Sequence, residues 1–172
     1  RKLQRYEESL QDHTKTIELQ PGKADFYFWR GLVYRSLGKY EEALKDYTKS
    51  IELNPQDYPS YGGRGATYTI LKRHEEALQD YSKAIELNPN GNWYYYQRGI
   101  AYGNLEQYDD ALQDFTKSIQ LAPDRANAYN QRGIVFQNLE RYAEALQNHT
   151  KAIQLKPDDD DFYYWRCRAY QS

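Results

Sequence analysis

The chain has 172 residues, with 23 Lys and Arg set against 25 Asp and Glu, a net charge of −2. That balance argues against a nucleic-acid footprint. A mean hydropathy of −1.04, with no apolar run near the ~20 residues of a spanning helix, argues against a membrane segment. One Cys cannot form an internal disulfide, which favours a reducing, cytoplasmic (intracellular) setting. The opening RKLQRYEE has no apolar signal-peptide core, and the absence of any Met is read as the mark of a fragment from a longer chain.

One spacing organises everything else. Pro21, Pro55, Pro89, Pro123 and Pro157 are 34 residues apart, and the same step carries Gly31, Gly65, Gly99 and Gly133, and then Ala43, Ala77, Ala111 and Ala145. A period of this length, holding apolar and turn residues in register, predicts a stacked repeat array. In chain order, residues 1–23 read as one helix, with Leu3, Tyr6, Leu10, His13 and Ile17 in phase ahead of Pro21. Residues 24–57 read as two. Tyr27, Gly31, Tyr34 and Leu37 fall on one face of a first helix, A. After a break at Gly38-Lys39, the residues Tyr40, Ala43, Leu44, Tyr47, Ser50 and Ile51 form the stripe of a second, B. Leu53-Asn54-Pro55 ends it, because Pro cannot continue the ladder. The hairpin returns at 58–91, 92–125 and 126–159, and residues 160–172 hold a helix A alone. Small residues at Gly31, Ala43 and Ser50 let A and B approach closely. A lone hairpin cannot bury both faces, so each must stack on its neighbours.

The aromatic–x3–Gly–x2–Tyr, Tyr–x2–Ala–x3–Tyr and Leu–x–Pro series resembles the tetratricopeptide repeat (TPR) family over the whole chain. The resemblance implies an all-α fold, an α-solenoid of antiparallel helix hairpins wound as a right-handed superhelix. Residues 1–172 would be one array: a half repeat (1–23, helix B only), four complete repeats, and a half repeat (160–172, helix A only).

The sequence departs from the family at the residue before the Gly of helix A, which is Arg30, Arg64, Arg98, Arg132 and Arg166. Helix B carries a matching Asp12, Asp46, Asp80 and Asp114, then Asn148. Opposite charges at one phase predict an Arg–Asp bridge repeated along the stack, within a repeat or between neighbours. The competing reading is a row of Arg displayed to a partner. Cys167 replaces the Gly of the complete repeats and reads as packing. His13, His74 and His149 replace repeat aromatics and lie far apart, so no metal site is expected. Asn148-His149-Thr150 matches a glycosylation sequon but falls inside a helix. The acidic run 158–161 reads as charge at a helix N-terminus.

The resemblance also implies that helix A lines a concave groove where partners lie. Carried over position by position, the peptide-binding residues would be Phe28, Trp29 and Leu32; Gly62 and Gly63; Trp93, Tyr96 and Gln97; Asn127, Asn130 and Gln131; and Tyr164 and Trp165. All three Trp fall on this set, and aromatic anchors are what binding hot spots are made of. The alternative is that these rings pack on neighbouring A helices. Gly62-Gly63 suggests a notch for a bulky partner side chain, with Gly63→Leu blocking binding without unfolding. The Asn and Gln row offers hydrogen bonds to an extended backbone. Relatives that hold the acidic tails of Hsp70 or Hsp90 place a clamp of Lys, Asn and Arg at these positions. Neither register of that clamp has a cation here, so a carboxylate clamp is not expected.

The function expected is therefore a protein–protein interaction scaffold that binds a peptide segment of another protein, without catalysis or cofactor. No nucleophile with its base, phosphate loop or metal cluster appears. Single-stranded RNA binding is the alternative, and head-to-tail self-association through residues 1–23 and 160–172 is a further one.

Overall fold

The computed structural model describes residues 2–171, with side chains from Arg5 onward, so the side chain of Leu3 lies outside the described residues. These residues form ten helices and no strand, in two compact units. The first unit, Arg1–Pro89, contains α1 (Lys2–Leu19), α2 (Ala24–Ser36), α3 (Tyr40–Leu53), α4 (Tyr58–Ile70) and α5 (His74–Leu87). The second, Asn90–Ser172, contains α6 (Asn92–Asn104), α7 (Tyr108–Leu121), α8 (Ala126–Asn138), α9 (Tyr142–Leu155) and α10 (Asp160–Gln171). Within each unit consecutive helices pack as antiparallel hairpins, α2 on α3, α4 on α5, α6 on α7 and α8 on α9, and hairpins stack through α3 on α4 and α7 on α8.

In every complete repeat helix A ends in the same capped turn. Lys39 N–H donates to Tyr34 C=O at 2.9 Å and Gly38 N–H to Arg35 C=O at 3.0 Å, the paired bonds of a Schellman cap. The residue at its centre is left-handed in every complete repeat, with φ of 73° at Gly38, 59° at Lys72, 59° at Glu106 and 58° at Glu140. B helices stop at Leu53, Leu87, Leu121 and Leu155, each two residues before a Pro that cannot extend them.

The core is a series of rings laid on glycines. Tyr47, Tyr81, Phe115 and His149 are the largest wholly buried side chains. A Cβ placed on Gly31 would lie 3.0 Å from the Tyr47 ring, on Gly65 3.0 Å from Tyr81, on Gly99 2.9 Å from Phe115 and on Gly133 2.7 Å from His149. The periodic glycine is thus the floor on which its own repeat's helix B ring lies, and any side chain there would push the two helices apart.

Beside each ring lies the Arg–Asp pair. Arg30 Nε and Nη2 donate to the two Asp46 oxygens at 2.7 and 2.8 Å. Arg64 grips Asp80 and Arg98 grips Asp114 with the same fork. Arg64 Nη1 also donates to Thr48 at 3.0 Å, and Arg132 Nη1 to Thr116 at 3.0 Å. Each of these Thr belongs to the helix B of the preceding repeat, so the Arg joins its own hairpin and ties it to the one before. The carboxylates are nearly inaccessible. These Arg side chains are therefore structural fasteners rather than a displayed row. In the fourth repeat Arg132 meets Asn148 at 2.9 Å instead, and burial without a countercharge lowers its pKa. Asn148, the Asn of the sequon, is itself buried.

Candidate functional site

The residues assigned to a groove divide into those that face out and those that face their own hairpin. In the first unit Trp29 is 52% exposed. Its ring meets Phe28 edge-on at 5.1 Å, and Phe28, half-buried, leans on Tyr47 at 6.1 Å. Leu32 is half-buried one turn further on. The exposed indole is thus backed by a second ring that itself leans on the core ring.

Gly62 and Gly63 are buried, which corrects the expectation of an open notch. A Cβ on Gly63 would stand 2.7 Å from the Tyr47 ring. Tyr47 is thus covered by Gly31 on one side and by the following repeat's Gly63 on the other. Ala66 and Thr67 are buried alongside, and the Thr67 hydroxyl turns back to Gly63 C=O at 2.8 Å. Gly63 serves the close packing of α4 on Tyr47, and Gly62 is buried beside it.

In the second unit Trp93 is half-buried, edge-on to Tyr94 at 5.3 Å. Tyr96 is half-buried between Phe115, at 6.0 Å, and the guanidinium of Arg125, at 5.3 Å. Gln97 is half-buried and Asn127 exposed. Asn130 is 5% exposed, and its amide oxygen lies 2.7 Å from His149 Nδ1. This is a second correction, because the Asn130 side chain is committed to the core and is not free to bind a peptide. Its place three before the Gly explains why. Phe28, Tyr96 and Asn130 all hold that place, and each meets the ring of its own helix B. Tyr164 is 57% exposed, with Trp165 edge-on to it at 5.4 Å and Arg168 over the indole at 5.3 Å.

In two repeats the ring's far end meets a polar residue of its own helix A. The Tyr81 hydroxyl lies 3.2 Å from Thr69 Oγ1, and His149 Nε2 lies 3.3 Å from Gln137 Oε1. Phe115 has no polar tip, and the equivalent residue is Gly103. A cavity of about 120 Å³ opens there between α6 and α8, lined by Phe115, Ile100, Ile134 and Val135 with Asn104, Gln131 and Asn138 around them. Sequence reasoning missed this cavity. The signal that marks it is the joint loss of the ring hydroxyl and of the side chain opposite.

Among the described residues no group of three His, Cys, Asp or Glu could hold a metal ion, and no helix is long and apolar enough to cross a membrane. Cys167 is exposed on α10.

Comparison with known proteins agrees with this architecture. The sequence matches the tetratricopeptide repeat over residues 24–57, 58–90, 93–125 and 126–159. No protein of curated function matches it. The structure is similar to the crystal structure of MamA, with a TM-score of 0.84 at 20% identity over 88% of this chain and 89% of that one. It is also similar to a MamA from Desulfovibrio magneticus RS-1, with a TM-score of 0.84 at 21% identity over 90% and 88%. For TTC0263, a thermophilic TPR protein of Thermus thermophilus, the TM-score is 0.77 at 22% identity over 99% and 93%. At such identities the likeness concerns the fold, an α-solenoid. With four repeats matched between residues 24 and 159 and a helix hairpin observed for each, the chain belongs to the tetratricopeptide repeat family.

Proposed function

We propose that the chain is a protein-interaction scaffold that holds an extended segment of another protein against the helix A side of its hairpins. The observation that carries this reading is Trp29, half exposed yet braced by Phe28. A preorganised indole loses little freedom when it is covered, which is why such rings dominate binding energies. Leu32 beside it supplies an apolar contact, and the second unit by itself offers the amides of Gln97, Asn127 and Gln131 for the hydrogen bonds an extended backbone needs.

Two other readings are less well supported. Binding of single-stranded RNA calls for free cations along a surface, but Arg30, Arg64 and Arg98 are each held by a buried carboxylate. End-to-end stacking of copies is disfavoured by Cys167. It holds the place at which a Cβ on Gly133 would already crowd its ring at 2.7 Å.

A displayed library of random linear peptides selected on the full chain tests the proposal. Recovered peptides should lose roughly tenfold or more in affinity for Trp29→Ala and Trp93→Ala variants of unchanged helicity. Failure to recover binders, or binders indifferent to both changes, removes the peptide-binding role.

A further inference from the structure

We infer that the cavity above Phe115 is a receptor for one aliphatic side chain, of leucine or isoleucine size, carried by an uncharged stretch of a partner protein. The inference rests on the interaction role proposed above and gives it a chemical specificity.

Three observations fix the occupant. The first is size. A cavity of about 120 Å³ is somewhat smaller than the ~150 Å³ apolar cavity that takes a benzene-sized guest, so it suits a branched aliphatic group better than a Phe or Trp ring. The second is lining. Phe115 is the floor and Ile100, Ile134 and Val135 are the apolar walls, with polar atoms making up about as much of the lining, so an aliphatic group gains by covering the apolar part. The third is charge. No ionisable group lines the cavity, and the polar groups around it are the neutral carboxamides of Asn104, Gln131 and Asn138. Such groups have nothing to offset the burial of a Lys, Arg, Asp or Glu. They can instead donate to and accept from the two peptide groups that flank an inserted side chain.

The cavity is built into the chain rather than left by loose packing. Gly103 is what opens it, because a Cβ there would meet nothing nearer than Val135 Cγ2, at 4.0 Å. At the same place the other repeats carry Arg35, Thr69 and Gln137. Glycine inside a helix lowers its stability, and here no close approach of another chain segment requires it. The feature that needs the missing side chain is the empty space itself.

The probe is N-acetyl-leucine methylamide, a leucine side chain between two peptide groups, titrated into the full chain with labelled methyl groups. The methyl resonances of Ile100, Ile134 and Val135 should shift and saturate. The phenylalanine and glutamate analogues should give shifts at least several-fold smaller at equal concentration. Gly103→Leu, which fills the cavity from within, should abolish the leucine response while leaving the helical spectrum intact. Shifts that never saturate, that survive in Gly103→Leu, or that the glutamate or phenylalanine analogue matches would overturn the assignment. The analogue series on the unaltered chain decides the matter even if Gly103→Leu disturbs α6. Leucine-specific shifts without any recovered library peptide would uphold the cavity and sink the wider role. Peptides recovered without leucine-specific shifts would do the reverse.

Discussion

The two units answer one packing problem differently. In the first, the ring of Tyr47 is roofed by Gly63 of the next hairpin, with Ala66 and Thr67 buried beside it. The cost is a tyrosine hydroxyl that has no hydrogen-bond partner among the described residues, and burial pushes its pKa up to about 12. In the second unit the corresponding roof is Gln131 and Ile134, the ring is Phe115, and a cavity remains above it. Small residues thus close one interval between A helices, and large ones prop the other open. A solenoid can alter what it offers a partner by changing a few side chains at fixed phase, while the hairpins that carry them stay the same.

The sharpest way to break this comparison is to put a large residue where the first unit needs none. Gly63→Leu would drive a side chain into the Tyr47 ring, where even a Cβ would stand at 2.7 Å. The expected loss is about 3 kcal/mol or more, read as faster hydrogen exchange through α3 and α4. The equivalent Gln131→Leu, on the open interval, should change stability by less than about 0.5 kcal/mol. Exchange unaltered by Gly63→Leu would show that Tyr47 is not roofed by that glycine.

The same contrast shows how far the sequence could be read. The hairpins were legible because their signals are local: a Pro two residues beyond each B helix, a stripe at helical spacing, a fixed step of 34 residues. The Arg–Asp fasteners were legible for a similar reason, since Arg30 and Asp46 recur together in phase, although phase alone does not say whether such a pair joins one hairpin or two. The binding surface was harder. Asn130 and Gln131 are neighbours in sequence, yet Asn130 meets His149 inside the hairpin and Gln131 faces a cavity. A shift of one residue turns a helix by about 100°, so a family pattern applied by position alone cannot tell which neighbour crosses that edge. Gly62-Gly63 failed differently. Absence of a side chain reads equally as a vacancy and as contact, and only the position of Tyr47 decides between them.

A smaller effect separates the units by pH. His149 takes the place of Tyr47 in the fourth repeat, with Nδ1 against Asn130 and Nε2 against Gln137. Burial, reinforced by the charge of Arg166, lowers its pKa to about 4. An unfolded His titrates near ~6.5, so below that value the unfolded chain binds a proton that the folded one refuses. The folded form is therefore favoured in full above pH ~6.5 and loses ground as pH falls towards 4. Between pH 7 and pH 5 the expected loss is about 2 kcal/mol, seen as faster exchange in α8 and α9. His149→Gln should flatten that dependence whatever it does to stability at pH 7. A pH dependence unchanged in the variant would assign it to other groups.

The least of the expected effects lies in the turns, where the units differ again. The first unit closes one of its two hairpins with Gly38, whereas both turns of the second place Glu at a left-handed position, with φ of 59° at Glu106 and 58° at Glu140. The capping bonds are the same in each, Gln107 N–H to Tyr102 C=O at 2.9 Å and Arg141 N–H to Phe136 C=O at 2.8 Å. The glutamates therefore keep the cap but bear the clash between Cβ and carbonyl that glycine lacks. Glu106→Gly relieves it and gives back part of the gain through a more disordered unfolded chain, for a net stabilisation of about 0.5–1 kcal/mol. Gly38→Glu should lose about as much. Each glutamate turn carries its own capping bonds, so Glu106→Gly and Glu140→Gly together should roughly double the single gain, a rise of a few degrees in Tm. If the double variant melts no higher than the unaltered chain, the left-handed turns hold no strain worth relieving, and the units differ in their rings alone.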